Sequence, residues 1–225
     1  MAIIFLGVVV AGVCLAVGYF AQLQKKKRLA ALANIAAGVG FVFTRGDADH
    51  LVDMPFRLFN RGSRRTVECE MGGVHNGVNM RIFDYKYYES SGRNGQWYKF
   101  TCGLALFPAV CPPLQITHRR FLGSLENLFG GHDIQFESDD FNKRFKITCE
   151  DQRFAFSLID GKMMEWLSSA ETFNNVEVVG PWVLYTGARL EPNGWLGIGA
   201  WLDQFHAHIP NVVYSQYPGA EPAGR

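Results

Sequence analysis

The chain has 225 residues, a formal net charge of +1, 48% hydrophobic and 19% charged residues, and five cysteines. This composition suits a folded chain, and the balanced charge lacks the basic excess with which proteins neutralise phosphates, so nucleic acid is excluded as a partner. Cys14, Cys69, Cys102, Cys111 and Cys149 form no Cys-x-x-Cys pair, which argues against a zinc ribbon or thioredoxin-type centre; no cofactor and no metal are expected.

An uncharged apolar run extends from Ala2 to about Leu23 and is closed by Lys25, Lys26, Lys27 and Arg28. At 1.5 Å of rise per residue it matches the roughly 30 Å of a bilayer's hydrocarbon core, and residues 1–24 are predicted to form a transmembrane helix. No basic region precedes the run, and Tyr19 sits where a signal-peptide cleavage site wants a small residue, so retention is expected. The basic cluster follows the helix, which predicts the amino terminus outside and the rest in the cytoplasm, beside inner-membrane lipid headgroups. Gly7, Ala11, Cys14 and Gly18 recur at spacings of four, three and four, forming a small-residue stripe through which two copies could pair as a homodimer.

Residues 25–40 read as a basic juxtamembrane segment and connecting helix, with Leu29, Leu32, Ala33 and Ala36 at helical spacing and Gly38 placed to end it. An α+β domain is predicted over 41–212, a mainly antiparallel sheet with several short helices. Its first strand is expected at Phe41 to Thr44. A hairpin follows, Thr66 to Met71 and Val78 to Tyr88 around a Gly/Asn-rich turn, then a strand from Trp97 to Leu106. Pro108, Pro112 and Pro113 are expected to interrupt the sheet before a fourth strand at Leu114 to Thr117. A short helix is predicted at Leu122 to Phe129, and strands at Asp133 to Glu137 and Phe145 to Cys149. Two short helices divided by Gly161 come next, then strands at Val176 to Val179 and Val183 to Thr186 joined at Gly180-Pro181, and a helix from Trp195 to His208. Residues 213–225, rich in Pro, Gly and Ala, read as a disordered tail.

The stretches Phe136 to Ile147, Glu150 to Ala155 and Met163 to Leu167, with Ile82-Phe83-Asp84-Tyr85-Lys86-Tyr87 upstream, resemble a family of uncharacterised bacterial proteins in which a short hydrophobic anchor precedes a domain of unknown function. The resemblance implies membrane attachment and bacterial origin. It carries over no catalytic or binding residues.

The densest polar and aromatic cluster is Asp84-Tyr85-Lys86-Tyr87-Tyr88. On a strand Asp84, Lys86 and Tyr88 share one face and Tyr85 and Tyr87 the other, which makes a ligand-facing stripe geometrically feasible. Lys143 and Arg144, between Phe141 and Phe145, form a second candidate contact for an acidic partner or for lipid; the alternative is a turn whose rings enter the core and whose cations are solvated. His206 and His208 point about 200° apart on a helix and cannot share an ion. A hydrolase pairing Cys102 or Cys111 with His118 would need a lowered thiol pKa. The reading is therefore a single-pass membrane protein whose cytoplasmic domain binds a protein or small ligand without catalysis. Its alternative is a membrane-tethered hydrolase using Asp84, or Glu150 and Asp151, as acid/base groups.

Overall fold

A computed structural model describes the backbone of residues 2–91, 94–121, 133–170 and 173–219, and the side chains of 12–90, 95–121, 133–170 and 173–219. The chain opens with one helix, α1 (Ala2–Gly38), of 37 residues and about 55 Å. The expected break between a membrane helix at 1–24 and a connecting helix at 25–40 does not occur. Between Gly18 and Gly38 the sequence is dominated by Ala, Leu, Lys, Gln and Arg, all strong helix formers, and nothing there can stop the helix. Gly40 ends it. At φ +75° this residue takes the left-handed conformation, and Phe41 N–H donates to Ala36 O at 2.8 Å while Gly40 N–H donates to Ala37 O. Among the described residues no helix is long and apolar enough to cross a membrane.

Six described strands make one antiparallel sheet: β1 (Val42–Arg45), β2 (Ser63–His75), β3 (Val78–Ser91), β4 (Asn94–His118), β5 (Phe145–Cys149) and β6 (Asn175–Ala188). β2 and β3 form the expected hairpin, turning at Asn76 (φ 49°) and Gly77 (φ 81°), the two positive φ values that match a tight turn to strand twist. β1 pairs with the outer edge of β2. β4 is shared: its first half lies between β3 and the end of β6, and its last residues, Leu114 to His118, lie between β5 and the start of β6.

The three prolines do not end β4. Pairing with β3 runs out at Ala105 and pairing with β5 begins at Leu114, so Pro108, Pro112 and Pro113 fall where no ladder on that side needs their missing N–H. β6 likewise continues through Gly180-Pro181, with Gly180 at φ 56° and a register shift opposite Cys111. The tail occupies the gap in the ladder: Val110 N–H donates to Tyr217 O at 3.0 Å, and Ala109 bridges Pro218. Residues 213–219, expected to be disordered, are therefore ordered, with Val213 fully buried in a short helix, α6 (Asn211–Gln216). The other helices are α2 (Asp139–Arg144), α3 (Gln152–Leu158), α4 (Gly161–Ser169) and α5 (Trp195–Ala207). Residues 133–137 are not a strand, although Ile134 N–H donates to Ile147 O beside β5. The helix predicted at 122–129 lies outside the described residues.

Each face of the sheet carries a core. On the first, Leu32 and Ala36 of α1 and Trp195, Ile198 and Leu202 of α5 cover Met71, Met80, Ile82 and Ala105, and this core continues toward α3 and α4. Leu32 is fully buried, and its burial alone contributes roughly 2 kcal/mol. A side chain at Gly103 would meet Ile198 at 2.4 Å, so only a bare backbone lets α5 lie this close to β4. On the second face two 3-10 turns, Leu51–Asp53 and Arg57–Asn60, bring Leu51, Phe56, Leu58 and Phe59 onto Val67, Phe83, Tyr85 and Leu184.

Candidate functional site

Asp84 and Lys86 do not present a stripe to solvent. Asp84 faces the first core, is 1% exposed, and is held by the helix that crosses it. Arg28 Nε donates to Asp84 Oδ2 at 2.9 Å and Arg28 Nη2 to Oδ1 at 3.1 Å, a bidentate fork. The same guanidinium donates to Leu190 O at 2.6 Å. Thr101 Oγ1 donates to Asp84 Oδ1 at 3.0 Å, and Arg189 Nη2 bridges Asp84 Oδ2 at 3.1 Å and Glu68 Oε2 at 2.8 Å. Lys86 completes the network on Glu68 Oε1 at 2.6 Å. Burial pushes the Glu68 carboxyl up, but Lys86, Arg189 and Lys25 outweigh it and hold the group below its usual range. Arg28, read from sequence as one of four membrane-flanking cations, is thus the bolt that joins α1 to β3.

Tyr85 and Tyr87 point to the opposite face and are buried. Phe59 meets Tyr85 edge-on at 5.0 Å and Tyr87 stacks on Tyr98 at 5.2 Å, so neither ring is available to a ligand. Tyr88 packs against Trp97 and under Arg64. Lys143 and Arg144 lie on α2, near the β5 end of β4 and remote from Asp84. Phe141 and Phe145 enter the first core there, while Lys143 is exposed and Arg144 Nη2 donates to Ser168 O at 2.6 Å. The structure therefore does not assemble Asp84, Tyr85, Lys86, Tyr87, Lys143 and Arg144 into one site. Of the small-residue stripe, Cys14 and Gly18 lie on the exposed part of α1, and the side-chain positions of Gly7 and Ala11 lie outside the described residues.

Of the hydrolase candidates, Asp84 is kept apart from Glu150 and Asp151, and Asp151 is engaged as a helix cap. Asp151 caps α3, accepting from Phe154 N–H at 3.0 Å and from Tyr217 Oη at 3.1 Å, whereas Asp84 is locked under α1. Burial pushes the Cys69 and Cys111 thiols up to about 12 and Cys102 well upward, so none is a thiolate at neutral pH. His118 is held neutral, first by burial and then by Arg120 and Arg144, with its pKa lowered to about 4. All five cysteines are free, and no group of metal-ligating residues occurs among the described residues.

One feature was invisible from spacing. Beside the second core, three strands align polar residues in a row: Thr148 of β5 and Glu177 of β6 are both register partners of Gln115 in β4. Direct partners share a face. All three are buried and line a cavity of about 510 Å³, with Arg57 and Glu150 also in its lining. The Glu177 carboxylate receives the first amides of the 3-10 turn, Arg57 N–H at 2.8 Å and Leu58 N–H at 3.3 Å, and the Asn175 side chain at 3.3 Å. Burial nevertheless raises its pKa to about 7, with those amides opposing the rise. Gln115 differs: both its Oε1 and its Nε2 are buried without a hydrogen-bond partner among the described residues. The sequence signal was faint, polar residues at alternating positions 115, 117, 175 and 177 in strands otherwise rich in valine and isoleucine.

No family model and no curated protein matches the chain. Among solved structures, the mycobacterial trehalose monomycolate transport factor A, TtfA, has a similar fold, with a TM-score of 0.60 over 86% of this chain and 98% of that chain. At 11% identity the likeness is one of fold.

Proposed function

We propose that the chain is a membrane-tethered, non-catalytic binding protein of the bacterial inner membrane, with its amino terminus outside and its α+β domain in the cytoplasm. The uncharged run up to Leu23 enters the lipid, and Lys25, Lys26 and Lys27 lie among anionic headgroups. The observation that carries this reading is the continuity of α1. The helix that bears the apolar run is the one that Arg28 fastens to Asp84, so whatever holds its amino half holds the whole domain. The exposed large apolar side chains Val13, Leu15, Val17 and Phe20 on that half give lipid a surface to cover.

A non-catalytic role is supported by the separation of Asp84 from Glu150 and Asp151, by the capping role of Asp151, and by the protonated thiols. The resemblance in fold to a protein named as a transport factor agrees with a role in handling a ligand or a partner. To test the tether, the full-length chain with a carboxyl-terminal tag is expressed in bacteria and its membranes are washed with alkaline carbonate. The tag is expected to stay in the pellet and to resist protease added outside intact spheroplasts. Release by carbonate would overturn the tether, and loss of the tag to protease would overturn the orientation.

A further inference from the structure

The cavity over Thr148, Gln115 and Glu177 lies at the polar end of the second face, beside the hydrogen-bonded pair Thr117 and Asn175. Farther along the same face the sheet carries Phe83, Tyr85, Phe100, Leu104 and Leu184. At the cavity three polar residues stand abreast, and one of them, Gln115, has no hydrogen-bond partner among the described residues. A buried carboxamide with neither its donor nor its acceptor matched within the protein is a candidate to meet a bound group. Glu177 offers a contrast: it is equally buried, and its oxygens are occupied by the Arg57 and Leu58 amides and by Asn175. The floor therefore has one group, Gln115, whose donor and acceptor are both unused.

The rest of the lining narrows the ligand. Pro55, Pro113, Leu114, Ile134 and Val178 supply apolar walls. No aromatic ring occurs in the described lining, so nothing there would stack on a sugar. The lining sets Glu150 and Glu177 against one cation, Arg57, which disfavours an anion, and a lone ammonium would leave the Gln115 N–H groups unanswered. A primary carboxamide on an apolar body answers all of these: its C=O accepts from Gln115 Nε2, its N–H donates to Gln115 Oε1, and its carbon body lies against the proline and valine walls. A volume of about 510 Å³ is in the range of small-molecule sites.

We propose that this cavity is a binding site for an uncharged carboxamide, read by the side chain of Gln115. The inference deepens the non-catalytic binding function proposed above and rests on it, whereas membrane attachment can fail without touching it. The test uses the full-length ¹⁵N-labelled chain in detergent micelles, with isobutyramide as probe and isobutyrate and trehalose as counter-probes. Isobutyramide is expected to shift the Gln115 side-chain NH₂ resonance saturably, and Gln115→Leu to weaken binding at least tenfold, read on neighbouring amides, while staying folded. Where the leucine variant does not fold, Gln115→Met, unbranched and of similar length, replaces it. Absence of a saturable shift, unchanged affinity in the variant, or equal binding of isobutyrate or trehalose would overturn the proposal. Release of isobutyrate from the bound amide would support the site and overturn its non-catalytic character, which separates the two failures.

Discussion

Glu177 shows how one side chain can make stability depend on pH. Its folded pKa of about 7 lies above the roughly 4.3 of an unfolded glutamate, so the folded state binds the proton more tightly. The associated stabilisation is complete below about pH 4.3 and is lost as pH rises through 7, a change of roughly 3 kcal/mol. Glu177→Gln carries no titrating group. Measured by urea denaturation, the stability of the natural chain relative to this variant is expected to fall by about that amount between pH 4 and pH 8. A pH-independent difference would contradict the assignment of that proton to Glu177. At this scale the sequence was a poor guide to the site. It ranked Asp84 and the tyrosines by polarity and aromatic density, but whether a strand residue meets solvent or a helix depends on what covers its face. Gln115 and Glu177 gain their significance from partners 62 positions apart along the chain, a relation set by strand register and not by spacing.

The element whose placement matters most is α1, and one carboxylate fixes it. Asp84 compensates Arg28 and Arg189 together, in a place where Arg28 is only 15% exposed along its side chain. Removing the charge leaves two guanidinium groups facing an amide, which costs on the order of 3 kcal/mol when a buried pair is broken. Asp84→Asn is expected to lower the denaturation midpoint accordingly and to speed hydrogen exchange in α1 from Lys25 to Ala36. Unchanged exchange there would show that Leu32 and Ala36 alone hold the helix. Elements as such were well legible. The hairpin of β2 and β3, the two helices divided by Gly161, and the helix opening at Trp195 follow from turn chemistry and periodicity. Three of the differences, in β4, in β6 and in the tail, share one cause: tertiary pairing overrides local stop signals. Prolines in β4 were tolerated because their flank has no ladder, Gly180 absorbed a register shift, and the apparently featureless tail found a place against Val110.

For the whole molecule, α1 divides functionally near Lys25. Residues after it supply Leu32 and Ala36 to the first core and Arg28 to Asp84; in the described residues before it, side chains from Gly12 to Phe20 are exposed. A chain lacking residues 1–24 is therefore expected to unfold cooperatively with nearly unchanged stability, whereas one lacking 1–38 should lose several kcal/mol or fail to fold. Circular dichroism melts of the two truncations separate these outcomes, and equal damage from both would contradict the division.

The bidentate clamp on an uninterrupted helix also sets an angular phase. Each residue advances an α-helix by about 100°. One residue inserted between Gly18 and Lys25 would thus revolve the entire sheet by that angle relative to whatever grips the amino end, with every contact inside the domain intact. The number of residues in that stretch, more than their identity, decides which way the Gln115 cavity looks.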